Sequence, residues 1–138
     1  MNIIYCNNPP ESIRDVTELL RSCDWSEWQQ AEVVFDALKK SSHITIAIDT
    51  DCGNKCVGIA RSMDDGAWSA NIDCVLIHPA YQGKGIGANL LGHLLEQIGH
   101  IMYISVAPNE ASVVPFYEKC GFAYIADGAL LQRVNMPS

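Results

Sequence analysis

Apolar and polar positions change period along this chain, and each change marks an element. Asn2 to Cys6 is a short β-rich run closed by Asn7-Asn8-Pro9-Pro10, which reads as a strand followed by a turn. Helical spacing takes over: Ile13, Val16, Leu19 and Leu20 share one face of a helix opening at Pro10 or Glu11 and running to about Ser22. A break at Cys23-Asp24 precedes a second helix from about Ser26 to Lys39, whose buried face is Val33, Val34, Ala37 and Leu38 and whose Ser26 and Gln29 match a capping box. His43 to Ile48 and Lys55 to Arg61 alternate about the turn Asp51-Cys52-Gly53-Asn54 and form a hairpin. After Asp64-Asp65-Gly66, Ala67 to Ile77 is a further, longer strand. Gly83, Gly85 and Gly87 then lead into the periodic Ile86, Leu90, Leu91, Leu94 and Leu95. Ile101 to Ala107 is strand-like, Glu110 to Lys119 helical, and Phe122 to Ile125 with Ala129 to Val134 a closing hairpin about Asp127-Gly128. Pro115 removes a backbone donor inside that last helix, so its regular part begins nearer Val114. The predicted order is β-α-α-β-β-β-α-β-α-β-β, an α/β (α+β) fold in a single domain over residues 1–138.

The stretch from Ile72 to Leu91 carries the chemistry: strand, glycine loop, helix. Glycines let backbone approach a ligand, and the unpaired N–H groups and positive dipole end of the next helix suit a phosphate. No Lys-Ser or Lys-Thr pair follows these glycines, so no hydroxyl is placed for Mg²⁺ as in a mononucleotide loop. A dinucleotide loop fits poorly, because the glycines alternate strictly and lie past the middle of the chain. Gln82-Gly83-Lys84-Gly85-Ile86-Gly87 instead resembles the Q/R-x-x-G-x-G/A signature of the GNAT superfamily of acetyl-CoA-dependent N-acetyltransferases. Asn109 through Phe122, with Ala111, Phe116, Tyr117 and Gly121 between them, is similar to the family's N-x-x-A-x-x-F-Y-x-x-x-G-F segment. The run from Val57 to Gly87 looks like the small aralkylamine N-acetyltransferase branch.

The resemblance implies a central mixed sheet of about seven strands flanked by four helices, with acetyl-CoA as co-substrate. The pantetheine arm would pair with the backbones of Val75, Leu76 and Ile77, a strand-addition mode. The amides of Gly83, Lys84, Gly85, Gly87 and Ala88 would take the pyrophosphate beside Gln82, where arginine is more frequent in the family. Asn109 and Phe116 complete the expected cofactor contacts. An N–H near Leu76 or Ile77 would serve the thioester oxygen. Tyr117 matches the tyrosine that reprotonates the thiolate. Asn71, Asp73, Val75 and Ile77 share a face by the strand's period of two. Among them Asp73 can act as base through a water, bind the substrate ammonium, or satisfy nearby backbone. Trp25, Trp28 and Trp68 are candidates for the acceptor wall, with packing of a helix start an equal reading for the first two.

Composition sharpens the partner classes. The net charge is −7 and the pI about 4.8, which repels nucleic acid and attracts a cationic amine. The expected acceptor is a small primary amine, aromatic or polyamine; a peptide amine, or a regulator that binds CoA without turnover, are the alternatives. Six cysteines lie mostly in apolar segments and read as reduced thiols, with no zinc-like spacing, so no metal is expected. No run reaches the ~18 apolar residues of a membrane span. The first residues lack the basic and apolar regions of a signal peptide. A cytoplasmic protein, with dimerisation possible in this fold, is the expectation.

Overall fold

The computed structural model describes residues 1–108, 110–125, 128 and 130–134. It divides into two compact units, Met1–Val106 and Ala107–Ser138.

The first unit is a twisted sheet with helices on both faces. Its strands are β1 (Ile3–Cys6), β2 (His43–Asp49), β3 (Lys55–Asp64), β4 (Ser69–Ile77) and β5 (Tyr103–Val106), paired in sequence order. The first three pairings are antiparallel and β4 runs parallel to β5, as the intervening helix α3 (Ile86–Ile98) requires. α1 (Ile13–Ser22) and α2 (Ala31–Lys39) cover one face, where Val16, Leu19, Leu20 and Leu38 pack with Ile44, Ile46, Cys56, Ile59 and Leu76. α3 covers the other through Leu90, Leu91, Leu94 and Ile98, all fully buried. Gln97 of α3 donates to Thr45 Oγ1 at 2.8 Å, which satisfies a hydroxyl inside that layer.

Two helix starts differ from the expected ones. α1 begins at Ile13 because Ser12 caps it, its Oγ accepting from the Asp15 amide at 3.3 Å. The second helix is split: Ser26–Gln30 is a 3₁₀ turn, Gln30 breaks it with φ −114° and ψ 36°, and no capping box forms. A 3₁₀ turn eclipses residues three apart, so Trp25 and Trp28 come to one side and both pack against the core under α1 and α2.

The second unit contains a 3₁₀ turn at Ala111–Val113 and α4 (Val114–Lys119), which starts where Pro115 places it. Gly121 at φ +99° ends the helix, and Phe122 N–H reaches back to Tyr117 O at 3.1 Å. Among the described residues the sheet has five strands where about seven were expected. Phe122 to Ile125 forms no ladder, nor do residues 130–134, while the turn at Asp127 and the start at Ala129 lie outside the described residues. Tyr124, Ile125, Leu130, Leu131 and Val134 stay between 63% and 92% exposed. Alternation specifies which side of a strand is apolar but supplies no pairing partner, and that is why these segments read as strands.

Candidate functional site

β4 changes character in its middle. Ala70 to Ile72 pair on both edges, with β3 and with β5, and the last pair with β5 is Ile72 with Val106. Among the described residues, Asp73 to Ile77 continue along β3 alone. Between Arg61–Asp73 and Ile59–Leu76 one residue of β3, Ala60, opposes two of β4, Cys74 and Val75, a β-bulge in which Cys74 stands at φ +52°. The bulge resets the alternation. Asn71, Asp73 and Leu76 lie opposite Met63, Arg61 and Ile59 on the α1/α2 side, and Ile77, opposite Gly58, lies on the other. The single face expected for Asn71, Asp73, Val75 and Ile77 is therefore broken, because one inserted residue shifts the period of two.

The same geometry sorts the three backbones expected to face a ligand. His78 N–H donates to Val57 O at 2.8 Å, so by the alternation of an antiparallel ladder Leu76 bonds inward to β3. Val75 and Ile77 turn their amide groups to the open edge, whereas Leu76, 3% exposed, belongs to the core. Leu76 is thus corrected out of the edge. The Ile77 carbonyl accepts from Gln82 Nε2 at 3.1 Å and from Cys23 Sγ at 3.3 Å. Burial raises the Cys23 thiol pKa, which keeps it protonated as that donor.

Beyond β4, His78 Nδ1 accepts from Ala80 N–H at 3.1 Å and opens a 3₁₀ turn, Pro79–Tyr81. Tyr81 Oη donates to Asp49 at 2.6 Å, anchoring the loop to the end of β2; that bond raises the Tyr81 pKa to about 12 and lowers that of Asp49. Gly83 and Gly85 stand at φ +76° and +81° with open space where a Cβ would lie. Their glycines are required by conformation and not by crowding. Gly85 caps α3 without a side chain, and the first amide bonding back is that of Asn89, to Gly85 O at 3.1 Å. The amides of Ile86, Gly87 and Ala88 have no acceptor within the helix, a ready anion seat beside the exposed Lys84.

The remaining expected residues are distributed as follows. Asp73 is held in a two-pronged pair by Arg61, Nε to Oδ1 at 2.5 Å and Nη2 to Oδ2 at 3.2 Å. Arg61 was not singled out from sequence, since nothing twelve residues upstream marks a cross-strand partner. Trp28 lies beneath the Arg21 guanidinium at 4.2 Å, and Trp68, 61% exposed, meets Tyr103 edge-on at 5.2 Å in the turn before β4. Trp25 and Trp28 thus share one cluster and Trp68 belongs to another. In the second unit Tyr117 is 8% exposed, edge-on to Phe116 at 5.1 Å and Phe122 at 6.0 Å. Burial, and then Cys120, raise its pKa. Asn109 lies outside the described residues. His93 stacks on Tyr5 and His100 meets the Gly66 carbonyl, both in structural roles. Among the described residues no cluster of three or more metal-binding side chains occurs and no helix is long and apolar enough to cross a membrane.

An open strand edge running into glycine-turned, unpaired helix amides is a seat for a molecule with amides at one end and phosphates at the other. The acetyltransferase (GNAT) family model matches residues 11–122, and the chain belongs to that family. It is 38% identical over 116 residues to an uncharacterized N-acetyltransferase, ycf52, of Pyropia yezoensis, covering 80% of this chain and 66% of that one. It is 30% identical over 129 residues to the histone acetyltransferase TAP1 of Glycine max, covering 83% and 54%. The chain thus spans between half and two thirds of the length of these two relatives. A GNAT-family acetyltransferase from Streptococcus pneumoniae TIGR4 superposes with a TM-score of 0.81 at 25% identity, covering 99% of this chain and 100% of that one.

Proposed function

We propose that this chain transfers acetyl from acetyl-CoA to the primary amine of a small molecule, aralkylamine or polyamine in class. The observation that carries the reading is the open half of β4: Val75 and Ile77 offer backbone groups to an extended chain of amides, and the strand leads directly to the α3 amides. Gln82 and Lys84 flank that anion seat. Acetyl-CoA has the matching chemistry, two pantetheine amides followed by a pyrophosphate, and supplies an activated thioester.

The remaining chemistry falls to the chain's own groups. An amine must be neutral to attack, and an alkylammonium loses its proton with a pKa near ~10. Asp73 is proposed to meet that amine, holding its ammonium or taking its proton through a water. Both its oxygens already accept from Arg61, so accepting a proton breaks one of two bonds. Holding the ammonium on its 43% exposed side costs less rearrangement. As nitrogen attacks, charge builds on the carbonyl oxygen, and the Ile77 or Val75 amide is the donor class that would stabilise it. The C–S bond then breaks and the thiolate takes a proton; Tyr117 is proposed as its source, on the similarity of its motif. A phenol held above its ordinary pKa is fully protonated at neutral pH, as a proton donor must be.

The acidic net charge of −7 supports a cationic acceptor. Similarity to a relative named for histone acetylation favours a second reading, a lysine or N-terminal amine of a protein. A cytoplasmic site of action belongs to the proposal; one relative, from Arabidopsis thaliana, is named as chloroplastic. The test is free-thiol release from acetyl-CoA with arylalkylamines, polyamines, amino sugars and short peptides, beside Tyr117→Phe. Turnover with one small-amine class, lowered in the variant, supports the reading. Turnover with peptides alone supports the second, and silence with all of them overturns both.

A further inference from the structure

Arg61 occupies an unusual position. It stands on β3 directly opposite Asp73, the residue at which β4 bulges and leaves β5. Its guanidinium uses three nitrogens: Nε and Nη2 hold the Asp73 carboxylate, and Nη1 donates to the Ala37 carbonyl in α2 at 3.3 Å. Its side chain is 15% exposed while that of Asp73 is 43% exposed, so the cation is the buried member of the pair. Cys74, next in the chain, carries a side chain at a positive φ that such residues avoid, and its half-buried thiol, whose pKa burial raises to about 11, is an inert filler beside the pair. A strained backbone persists where its surroundings over-determine it. Here the surroundings are one planar fork joining α2, β3 and β4.

We propose that Arg61 is a positioning residue for acetyl transfer: acting through Asp73 and the Ala37 carbonyl, it fixes the bulge and hence the direction of the Val75 and Ile77 amides. The inference rests on the proposed function, in that those amides face the thioester. It also gives Asp73 one orientation, its exposed side turned away from β3, which determines where an amine can be held. A carboxylate free of Arg61 would sample several rotamers, and the bulge would lose the side-chain brace that ties it to β3 and α2.

Arg61→Met keeps the aliphatic stem and removes the fork; Arg61→Lys keeps the charge; Asp73→Asn, and the Arg61→Met/Asp73→Asn double variant, test whether the two act as a unit. Arg61→Met is expected to lower kcat by roughly 10- to 100-fold, the scale of a misplacement near 1 Å, with the KM for acetyl-CoA changed less than about threefold. Arg61→Lys should recover only part, lacking the fork geometry, and the double variant should be no slower than the slower single one. Amide hydrogen exchange at residues 74–77 should accelerate in Arg61→Met while exchange in α3 stays at the wild-type rate. Wild-type kcat in Arg61→Met, or full additivity in the double variant, overturns the inference, as does faster exchange throughout the first unit. If the wild-type protein turns over no amine, the proposed function fails; the exchange readout then decides alone, local acceleration upholding the bracing role and unchanged rates rejecting it.

Discussion

The two halves of β4 share one strand, one neighbour and similar side chains, yet differ in what they can do. Ala70 to Ile72 are paired on both edges, and Ala70 and Ile72 are 3% and 1% exposed. Asp73 to Ile77 are bonded on one edge, and apart from Leu76 their residues are only half-buried. The first half is structure; the second keeps N–H capacity unspent at its edge, although the Ile77 carbonyl already accepts from Gln82 and Cys23. The division is made by one inserted residue, Cys74, and by the point at which β5 stops. An open edge can thus be built from a core strand by withholding a partner, with no specialised side chain along it.

The difference should be largest in stability. Ile72→Ala removes a fully buried side chain and is expected to cost about 2–5 kcal/mol, whereas Val75→Ala, at a half-buried position, should cost about 1 kcal/mol or less. Urea unfolding of the two variants compares them directly, and equal losses would erase the contrast between the halves. Gly85→Ala comes next. A methyl group has room there, but φ +81° is left-handed, so the strain is about 1–2 kcal/mol. Because that residue aims the α3 amides, acetyl-CoA affinity measured by calorimetry should fall by about tenfold or more, while Gly92→Ala, in open space on the same helix, should leave it unchanged.

Gln82→Arg should have a smaller effect, of the opposite sign. Gln82 is turned onto the Ile77 carbonyl, and a guanidinium in its place adds a charge beside the anion seat; acetyl-CoA should bind a few-fold tighter at low salt, and the gain should shrink as salt rises. The smallest effect concerns His78. Burial, and then the Lys55 ammonium 3.5 Å from Nε2, hold its pKa below the ordinary imidazole value. A depressed histidine contributes stability that is present above the unfolded-state value near ~6.5 and lost as pH falls through the lower folded value. The melting temperature should therefore drop more steeply below pH 6 in wild-type protein than in His78→Asn, and parallel curves would remove His78 from the loop's stability.

Much of this arrangement is legible in the residues. Period and punctuation place β1 to β5, the helices α1 and α3 and the glycine loop, because apolar spacing and glycine report local geometry. Pro115 marks the start of α4 for the same reason. Ser12, three residues before Asp15, carries a cap signal that a helix start at Pro10 or Glu11 leaves unused. What escapes the sequence depends on pairing. The bulge occurs at a cysteine, with no glycine or proline to announce it, and only the register of β3 against β4 reveals that Asn71, Asp73 and Leu76 share a face. Arg61 becomes informative only once that register places it opposite Asp73. The 3₁₀ turn at Ser26–Gln30 follows from the packing of Trp25 and Trp28, a tertiary demand that a capping pattern does not contain.

The central claim, that acetyl-CoA pairs with the open half of β4, is tested most directly by amide hydrogen exchange resolved to single residues, with and without acetyl-CoA. The Val75 and Ile77 amides should exchange quickly in the free protein and become protected on binding, while Leu76, already bonded to β3, and Ile72 should change little. Protection absent at Val75 and Ile77 under saturating acetyl-CoA would place the cofactor elsewhere and contradict the account.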